Sequence, residues 1–488
     1  MRSFCDSVAM LAALGTLLVA FLCLSALVDS LRSANRLVTK HRSSPRLFGA
    51  TDDYLGKLNA GKELVITVDG PSSCVAVKDI AVGDLIYSVP IGECLDVEKA
   101  NKALSWFGSK ALKSLRTGDF GLLALFVLQE KSAGASSRYA EYLANLPSEA
   151  PGILGWSEEL RSEFSRSTTR NVAGQLAAIE QDWALIETSA QAAAKTCLIS
   201  DDLLNYESFK WAFGIVKAFN LFIEGAPILA PGVEVIQTDT YAESEAVLDS
   251  AGMWGGKVVK VIARGESFKK GDEIVMNAGF RSAAECVEDL GMCPDLDKED
   301  CTCEMVLRID GENEAAWDMY WEDKLNVLES AQEKPAQKFD LEADDSVEFD
   351  PNMIQFLRLK NIRGTDSFIL ESIFSMSCFE TMGAPFSKEN EKTVYESLLD
   401  RVNAGLEQLG GVSSPEQDAA LIDKGGDAKA VTLARLRQHE RAALESSKTK
   451  TETILRVLDA ADTNEYYQDR RLRELDLLRP LEEDEIVP

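Results

Sequence analysis

Histidine and cysteine carry much of the transfer, hydrolytic and metal chemistry of proteins, and this chain has very little of the first. Among 488 residues only His41 and His439 are histidines. A multi-histidine metal site is therefore excluded. If the N-terminus is removed, a catalytic triad has a single candidate base, His439. Ten cysteines do not read as a disulfide scaffold in a chain of this length. Cys5 and Cys23 lie in the N-terminal targeting-type segment, and Cys74, Cys94, Cys197 and Cys378 sit among apolar neighbours as small core residues. Cys286, Cys293, Cys301 and Cys303 form a cluster with no CxxC pair and no histidine beside it in sequence. Zinc ligands, a redox-labile disulfide and reduced thiols are the three readings of that cluster, and the spacing favours the third. The acids of Asp295–Asp300 lack the central glycine of a calcium loop and read as a solvated loop.

Charge narrows the partners. The chain holds 51 Lys+Arg against 80 Asp+Glu, a formal net charge of −29. Residues 1–50 contain six Lys/Arg and two Asp, so the remaining 45 basic and 78 acidic residues leave −33. Such acidity argues against general nucleic-acid binding, which needs Lys/Arg surfaces. It points instead to a protein partner with a basic segment. With 45% apolar and 27% charged residues, the composition is that of a folded protein, long enough for more than one folding unit.

The elements that must position any site follow from periodicity. Val8–Val28 is a continuous uncharged stretch, long enough to span a bilayer or to serve as a signal sequence. Leu31–Ala50 then carries Arg32, Arg36, Lys40, Arg42 and Arg46, many Ser/Thr and no acid, the composition of a transit peptide. Together they read as the two-part address of a plastid bounded by extra membranes. The alternative is a single uncleaved anchor in the secretory pathway, with membrane contact through residues 8–28 alone. Residues 62–90 alternate as strands, with turns at Gly70-Pro71 and Val82-Gly83-Asp84. From about 96 to 222 the pattern is helical. Strand signals return at Val233–Ile236, Val258–Ala263 and Glu273–Met276, so a helical insertion interrupts a small β domain. Residues 332–350 read as a polar, acidic linker. Val394, Leu398, Val402, Leu406 and Leu409 form one helical stripe, Ser414-Pro415-Glu416-Gln417 is a helix start, and 428–458 reads as a solvated helix on a bundle.

Motifs in their order along the chain resemble one family. Ala76-Val-Lys-Asp-Ile80, Gly83–Pro90, Leu122–Lys131, Tyr142–Pro147, Trp156–Leu160 and Trp211–Val216 make up the first half. Phe386–Glu391, Ser413–Asp418 and Arg435–Glu440 make up the second. Together they resemble the SET-domain methyltransferases of the Rubisco large-subunit methyltransferase type over roughly 55–458. The resemblance implies an α+β fold: a small β-rich SET-like core interrupted by a helical insertion, followed by a mostly α-helical C-terminal domain. It implies a SET-like domain over 51–300 with its insertion at about 96–222 and a helical substrate- or partner-binding domain over 301–457, while composition and charge give the targeting segment over 1–50 and an acidic tail over 458–488. It also implies transfer of a methyl group from S-adenosylmethionine to a protein lysine.

The four motifs that would carry that transfer are degenerate. Gly70 and Ser72 stand in the Gly-x-Gly turn that approaches the cofactor, with Pro71 and Ser73 beside them. Ala218 and Phe219 stand where the family has Ser-Arg, and Gln237 and Thr238 where it has Asn-His, framed by Pro231 and Glu234. Ala278 stands in place of the tyrosine whose hydroxyl orients the amine, framed by Gly271 and Gly279. Tyr241 and Phe280 are nearby aromatics, read first as packing residues. The expectation is a catalytically inactive SET-fold protein that serves as a protein-binding scaffold and uses no cofactor. A divergent active protein-lysine methyltransferase, with S-adenosylmethionine as cofactor, is the alternative. A structural subunit of an organellar membrane complex is the second.

Overall fold

The computed structural model describes Leu55 and residues 66–460, apart from 70–72, 194, 239–241, 251–255, 278, 280, 295–296, 310–317, 371–374 and 386. The targeting segment expected over 1–50 and most of the tail expected over 458–488 fall outside the described residues. So do Gly70, Ser72, Ala278, Tyr241 and Phe280. Among the described residues, no helix is long and apolar enough to cross a membrane.

The alternating segment before residue 90 forms β1 (Ile66–Asp69), β2 (Ser73–Ala76) and β3 (Leu85–Pro90). After β4 (Leu95–Asp96) the helical insertion begins with α1 (Val97–Ala103) and α2 (Asp119–Ser132), then α3 (Glu158–Arg166), α4 (Val172–Ala192) and α5 (Tyr206–Phe219). Every residue of α2 from Gly121 to Gln129 is buried, so this helix runs through the core rather than along its surface. Its start is held by Asp182 of α4, a buried carboxylate that accepts from the backbone N–H of Arg116 (2.7 Å) and Thr117 (2.9 Å) and from the Thr117 hydroxyl. The negative charge faces the positive end of the helix dipole.

The chain returns to the β core as β5 (Leu221–Ile223), β6 (Ala226–Leu229), β7 (Gln237–Thr238), β8 (Ser244–Ser250), β9 (Lys257–Ala263) and β10 (Val275–Met276). The sheets are small. β3, β9 and β8 form one, β4, β6 and β5 another, and β1–β2 is a hairpin. β7 and β10 form a two-residue parallel pair. Val233–Ile236, expected as a strand, instead begins as a 3-10 turn over Val233–Val235. Gly232, at φ +89°, turns the chain there, and a Cβ on it would stand 2.0 Å from the Tyr87 hydroxyl. Val233, Val235 and Ile236 are all buried, so the apolar run marked burial on several sides rather than strand alternation.

Beyond residue 280 come α6 (Ala283–Leu290), β11 (Thr302–Arg308), α7 (Trp321–Ser330), β12 (Ala336–Glu342), α8 (Pro351–Lys360), α9 (Lys388–Gly410), α10 (Pro415–Lys424) and α11 (Ala428–Ala460). The expected linker over 332–350 is corrected here, since β12 pairs antiparallel with β11 along seven residues. Phe339 and Leu341 point into the core, and the charges that made the segment look like a loop alternate with them. On α9, Val394, Leu398, Val402 and Leu409 are fully buried, each worth about 1.5–3 kcal/mol of burial. Ser414 caps α10 in a reciprocal box with Gln417. α11 is not the solvated helix expected over 428–458. Leu433, Ala434, Leu436, Ala443 and Leu444 are buried, and so are Arg437, Glu440, Arg441, Ser447 and Thr451. Arg437, Glu440 and Arg441 are paired inside the protein rather than hydrated, while Glu445, Glu452 and Arg456 remain exposed.

Three apolar clusters organise these elements. One runs from Leu55 to Met276 and another from Cys301 to Leu444. A third joins Ile153, Trp156, Phe164 and Val172 to Ala283 and Val287 of α6 and to Leu433 and Leu436 of α11.

Candidate functional site

The short parallel pair β7–β10 is the centre of the site that the sequence singles out. Gln237 lies opposite Val275, and Thr238 opposite Met276. Gln237 is half-buried and Thr238 exposed. The pair is locked from both sides. Ile274 donates its N–H to the Cys74 carbonyl (2.8 Å), and Ala76 to that of Asp272 (2.9 Å), so the strand that follows Gly70–Ser73 runs beside the approach to β10. On the far side, Asn277 donates its backbone N–H to the Ser244 carbonyl (2.7 Å), while its side-chain Oδ1 accepts from Gly279 N–H (2.8 Å). Gly279 takes φ +95°, a conformation that favours glycine. The Ser244 hydroxyl donates to Glu266 at 3.2 Å, and burial holds the Glu266 carboxyl above its ordinary range.

The structure thus brings Gln237 and Thr238 against the segment leading to residue 278. Ala218 and Phe219 close α5, which is linked to the segment after Gly279 through Arg281. Ala218 is buried, and the Lys217 carbonyl beside it accepts from Asn220 Nδ2 (2.9 Å) and from Arg281 Nη2 (3.4 Å). Arg281 is a residue that sequence reasoning missed. Its only signal was an arginine directly after the Gly279-Phe280 turn in a strongly acidic chain. Arg281 Nη1 is buried and has no hydrogen-bond partner among the described residues. Chemically, Gln237 and Thr238 offer an amide and a hydroxyl that do not titrate near neutral pH, and alanine at 278 offers no hydroxyl. The cleft over Pro151, Leu176, Phe213 and Lys217, by contrast, belongs to the insertion and α6 and does not include Gln237.

A second polar cluster lies where the insertion, α6, the β11–β12 hairpin and α11 meet. Arg170, in the turn between α3 and α4, bonds Glu288 (Nη2 at 3.0 Å), Glu285 (3.3 Å) and Glu304. Lys338 of β12 reaches Glu285 (2.6 Å) and Glu304 (2.8 Å). Burial raises the carboxyl of the neighbouring Asp340 to about 6, with Lys338 offsetting part of the rise. Glu440 of α11 accepts from the Thr169 N–H (2.9 Å) and the Thr168 hydroxyl, and burial raises it to about 7. Arg437 holds Asp418 with two nitrogens and the Ser167 hydroxyl with a third.

The cysteine cluster looks different in space than in sequence. His439, distant along the chain, places Nδ1 3.4 Å from Cys293 Sγ. Burial pushes the Cys293 and Cys303 thiols well above their ordinary range and Cys301 to about 12. All eight described cysteines are free thiols, and these three stay protonated, which makes them poor nucleophiles.

The small β core with its short parallel β7–β10 pair, the helical insertion and the helical C-terminal part are similar to those of Rubisco-LSMT-like SET proteins. Residues 317–445 match the family described as Rubisco LSMT substrate-binding. Over 424 residues the chain is 26% identical to the chloroplastic ribulose-1,5 bisphosphate carboxylase/oxygenase large subunit N-methyltransferase of Nicotiana tabacum, covering 83% of this chain and 80% of that one. It is 27% identical over 371 residues to the chloroplastic [fructose-bisphosphate aldolase]-lysine N-methyltransferase of Arabidopsis thaliana, covering 73% and 72%. Its fold matches the crystal structure of the SET domain of LSMT bound to lysine and AdoHcy, with a TM-score of 0.66, 22% identity and coverage of 87% and 94%. The structure of Rubisco LSMT bound to AdoMet matches with a TM-score of 0.64 and 22% identity, covering 88% and 96%.

Proposed function

We propose that this chain retains the SET fold without its methyl-transfer chemistry and serves as a scaffold that binds a protein partner. The observation that carries the reading is the β7–β10 pair. Its framework is kept, while Gln237 and Thr238 occupy it where Asn-His belongs. Ala278 adds to this by identity, because no alanine can orient an amine.

S-adenosylmethionine is the cofactor that the fold implies, and when bound it supplies a sulfonium methyl group. The described residues fit one end of it only. The spare Arg281 donor suits a carboxylate. No described side chain of the four motifs matches a family residue at the transferring end.

The partner is a protein, since the similar relatives named above act on proteins, and the charge of −33 outside residues 1–50 favours a basic segment on it. The relatives are chloroplastic, and a plastid address agrees with the signal-like and transit-like halves of residues 1–50. The domain boundaries at 50, 300 and 457 belong to the same proposal. The third apolar cluster packs the two larger parts together, so that a partner meets one surface rather than two hinged lobes.

The test is restoration. The triple variant Gln237→Asn, Thr238→His, Ala278→Tyr is expected to transfer no methyl group to protein lysine, because the Gly-x-Gly turn and the Ser-Arg pair are also missing. Recovery of transfer, read by mass spectrometry of the acceptor, would overturn the reading that the site is dismantled.

A further inference from the structure

We infer that the turn Ser167–Arg170 is a proton-operated clasp: it is held in the C-terminal part while Glu440 carries a proton, and is released locally once that proton is lost. Ser167 and Thr168 are fully buried although they lie in the connection between α3 and α4. Three elements of the C-terminal part grip this turn. From α9, Gln408 Nε2, a neutral amide, donates to the Thr168 carbonyl (2.7 Å). On β11, the Glu304 carbonyl accepts from the Thr169 hydroxyl (2.7 Å). From α11, Arg437 donates to the Ser167 hydroxyl (2.9 Å), and Glu440 accepts from the Thr169 N–H (2.9 Å) and the Thr168 hydroxyl.

Glu440 differs from every other acid at this junction. It is 1% exposed, yet among the described residues only a hydroxyl, an N–H and the Cys303 thiol (3.7 Å) bond its carboxyl group. The charges around it are engaged elsewhere. Arg170, in the turn itself, binds Glu288 of α6 and Glu304 of β11. Arg437 and Arg441, on the same helix as Glu440, both hold Asp418 of α10, and Arg437 also reaches Glu163 of α3 (3.5 Å). Lys338 of β12, two residues before Asp340, stands on Glu285 and Glu304. His439 lies against Cys293.

A carboxylate taken out of water without a contacting cation is costly, so the buried group keeps a proton that it gives up when exposed. Burial accordingly moves its titration to about 7, against an ordinary value of 4.5. Between these values the closed turn holds a proton that the open turn does not. Opening therefore becomes easier as pH rises through that interval, and the dependence levels off above it. The opening is local. Ile153, Trp156 and Phe164 stay packed with Leu433 and Leu436 through apolar contacts that do not titrate, whereas the turn is gripped through polar bonds.

Hydrogen exchange on the full chain tests the clasp, read by mass spectrometry on a peptide covering 165–172 and on one covering 122–129 of the buried helix α2. After correction for intrinsic exchange at each pH, protection of the turn is expected to fall about 25-fold from pH 5.5 to pH 8, the change set by a carboxyl that titrates near 7 closed and near 4.5 open. The turn is also expected to exchange at least about a hundredfold faster than α2 at both pH values, as local opening requires. Glu440→Gln keeps an acceptor for Thr168 and Thr169 and cannot ionise, so its protection should vary less than about threefold over the same range. Three results would each overturn the inference: protection of the wild-type turn that does not change with pH, a turn that exchanges no faster than α2, or a Glu440→Gln variant that keeps the wild-type slope. The clasp lies apart from β7–β10 and does not depend on the absence of methyl transfer, so the two readings fail separately.

Discussion

Replacing Arg170 with methionine is expected to destabilise the protein by about 3–5 kcal/mol at pH 7.5, the cost of leaving buried carboxylates without their cation. Arg170 is 6% exposed at its side chain, as are Glu288 and Glu304, so water cannot take over its role. It faces these two carboxylates and Glu285 from a single guanidinium, with Lys338 as the other cation of the group. Methionine matches the length of the stem and supplies none of the donors. Arg170→Lys is expected to recover only part of the loss, because one ammonium cannot reproduce the fork. The penalty should shrink at pH 5.5, where the unpaired carboxyls can take up protons. Urea unfolding at the two pH values checks both statements. A loss below about 1 kcal/mol at pH 7.5 is the range of an exposed ion pair and would contradict the account.

Glu440→Gln is expected to act in the opposite direction and to depend on pH. The Glu440 carboxyl is 1% exposed and titrates at about 7 when folded, against an ordinary value of 4.5. Burial is the main cause. The Thr168 hydroxyl, the Thr169 N–H, the Cys303 thiol and the positive charge of Arg170 offset part of it. Between pH 4.5 and 7 the folded state holds a proton that the unfolded state has released. Stability therefore falls as pH rises through that window and is level above it, and the shift corresponds to about 3 kcal/mol. Glutamine keeps an acceptor for Thr168 and Thr169 and cannot ionise. The variant should match the wild type near pH 4.5 and exceed it by about 2–3 kcal/mol at pH 8. Asp340, raised to about 6, adds a smaller slope of the same sign that the variant retains. Melting temperatures across pH 5–8 check this, and parallel curves for the two proteins would contradict it.

Much of the architecture is visible in residue patterns because burial is what the patterns record. The stripe Val394–Leu409, the Ser414 box and the all-apolar run of α2 each follow from one rule of spacing. What stayed hidden shares one physical cause. In β12 and α11, charged side chains are used inside the fold. Lys338 balances Glu285 and Glu304, Arg437 balances Asp418, and Glu440 caps the turn at Thr168-Thr169. A sequence shows such charges but not their partners, which lie more than a hundred residues away in Glu440 and Thr169. The candidate site divides in the same manner. The proposed exchange of family residues at Ala218, Phe219, Gln237, Thr238 and Ala278 is read from identity alone. Arg281 is not, since its meaning depends on a carbonyl 64 residues distant and on acids already engaged elsewhere.

The proposal that methyl transfer is lost from a retained SET fold is tested most directly by a single-turnover assay. The full chain, in molar excess, is incubated with methyl-labelled S-adenosylmethionine and three acceptors: Rubisco, fructose-bisphosphate aldolase and unfractionated plastid protein. The tobacco relative serves as the positive control on Rubisco. The account predicts no lysine-bound label above the protein-free control on any acceptor. Label on a lysine that depends on this chain, at a rate comparable to the control, would contradict it.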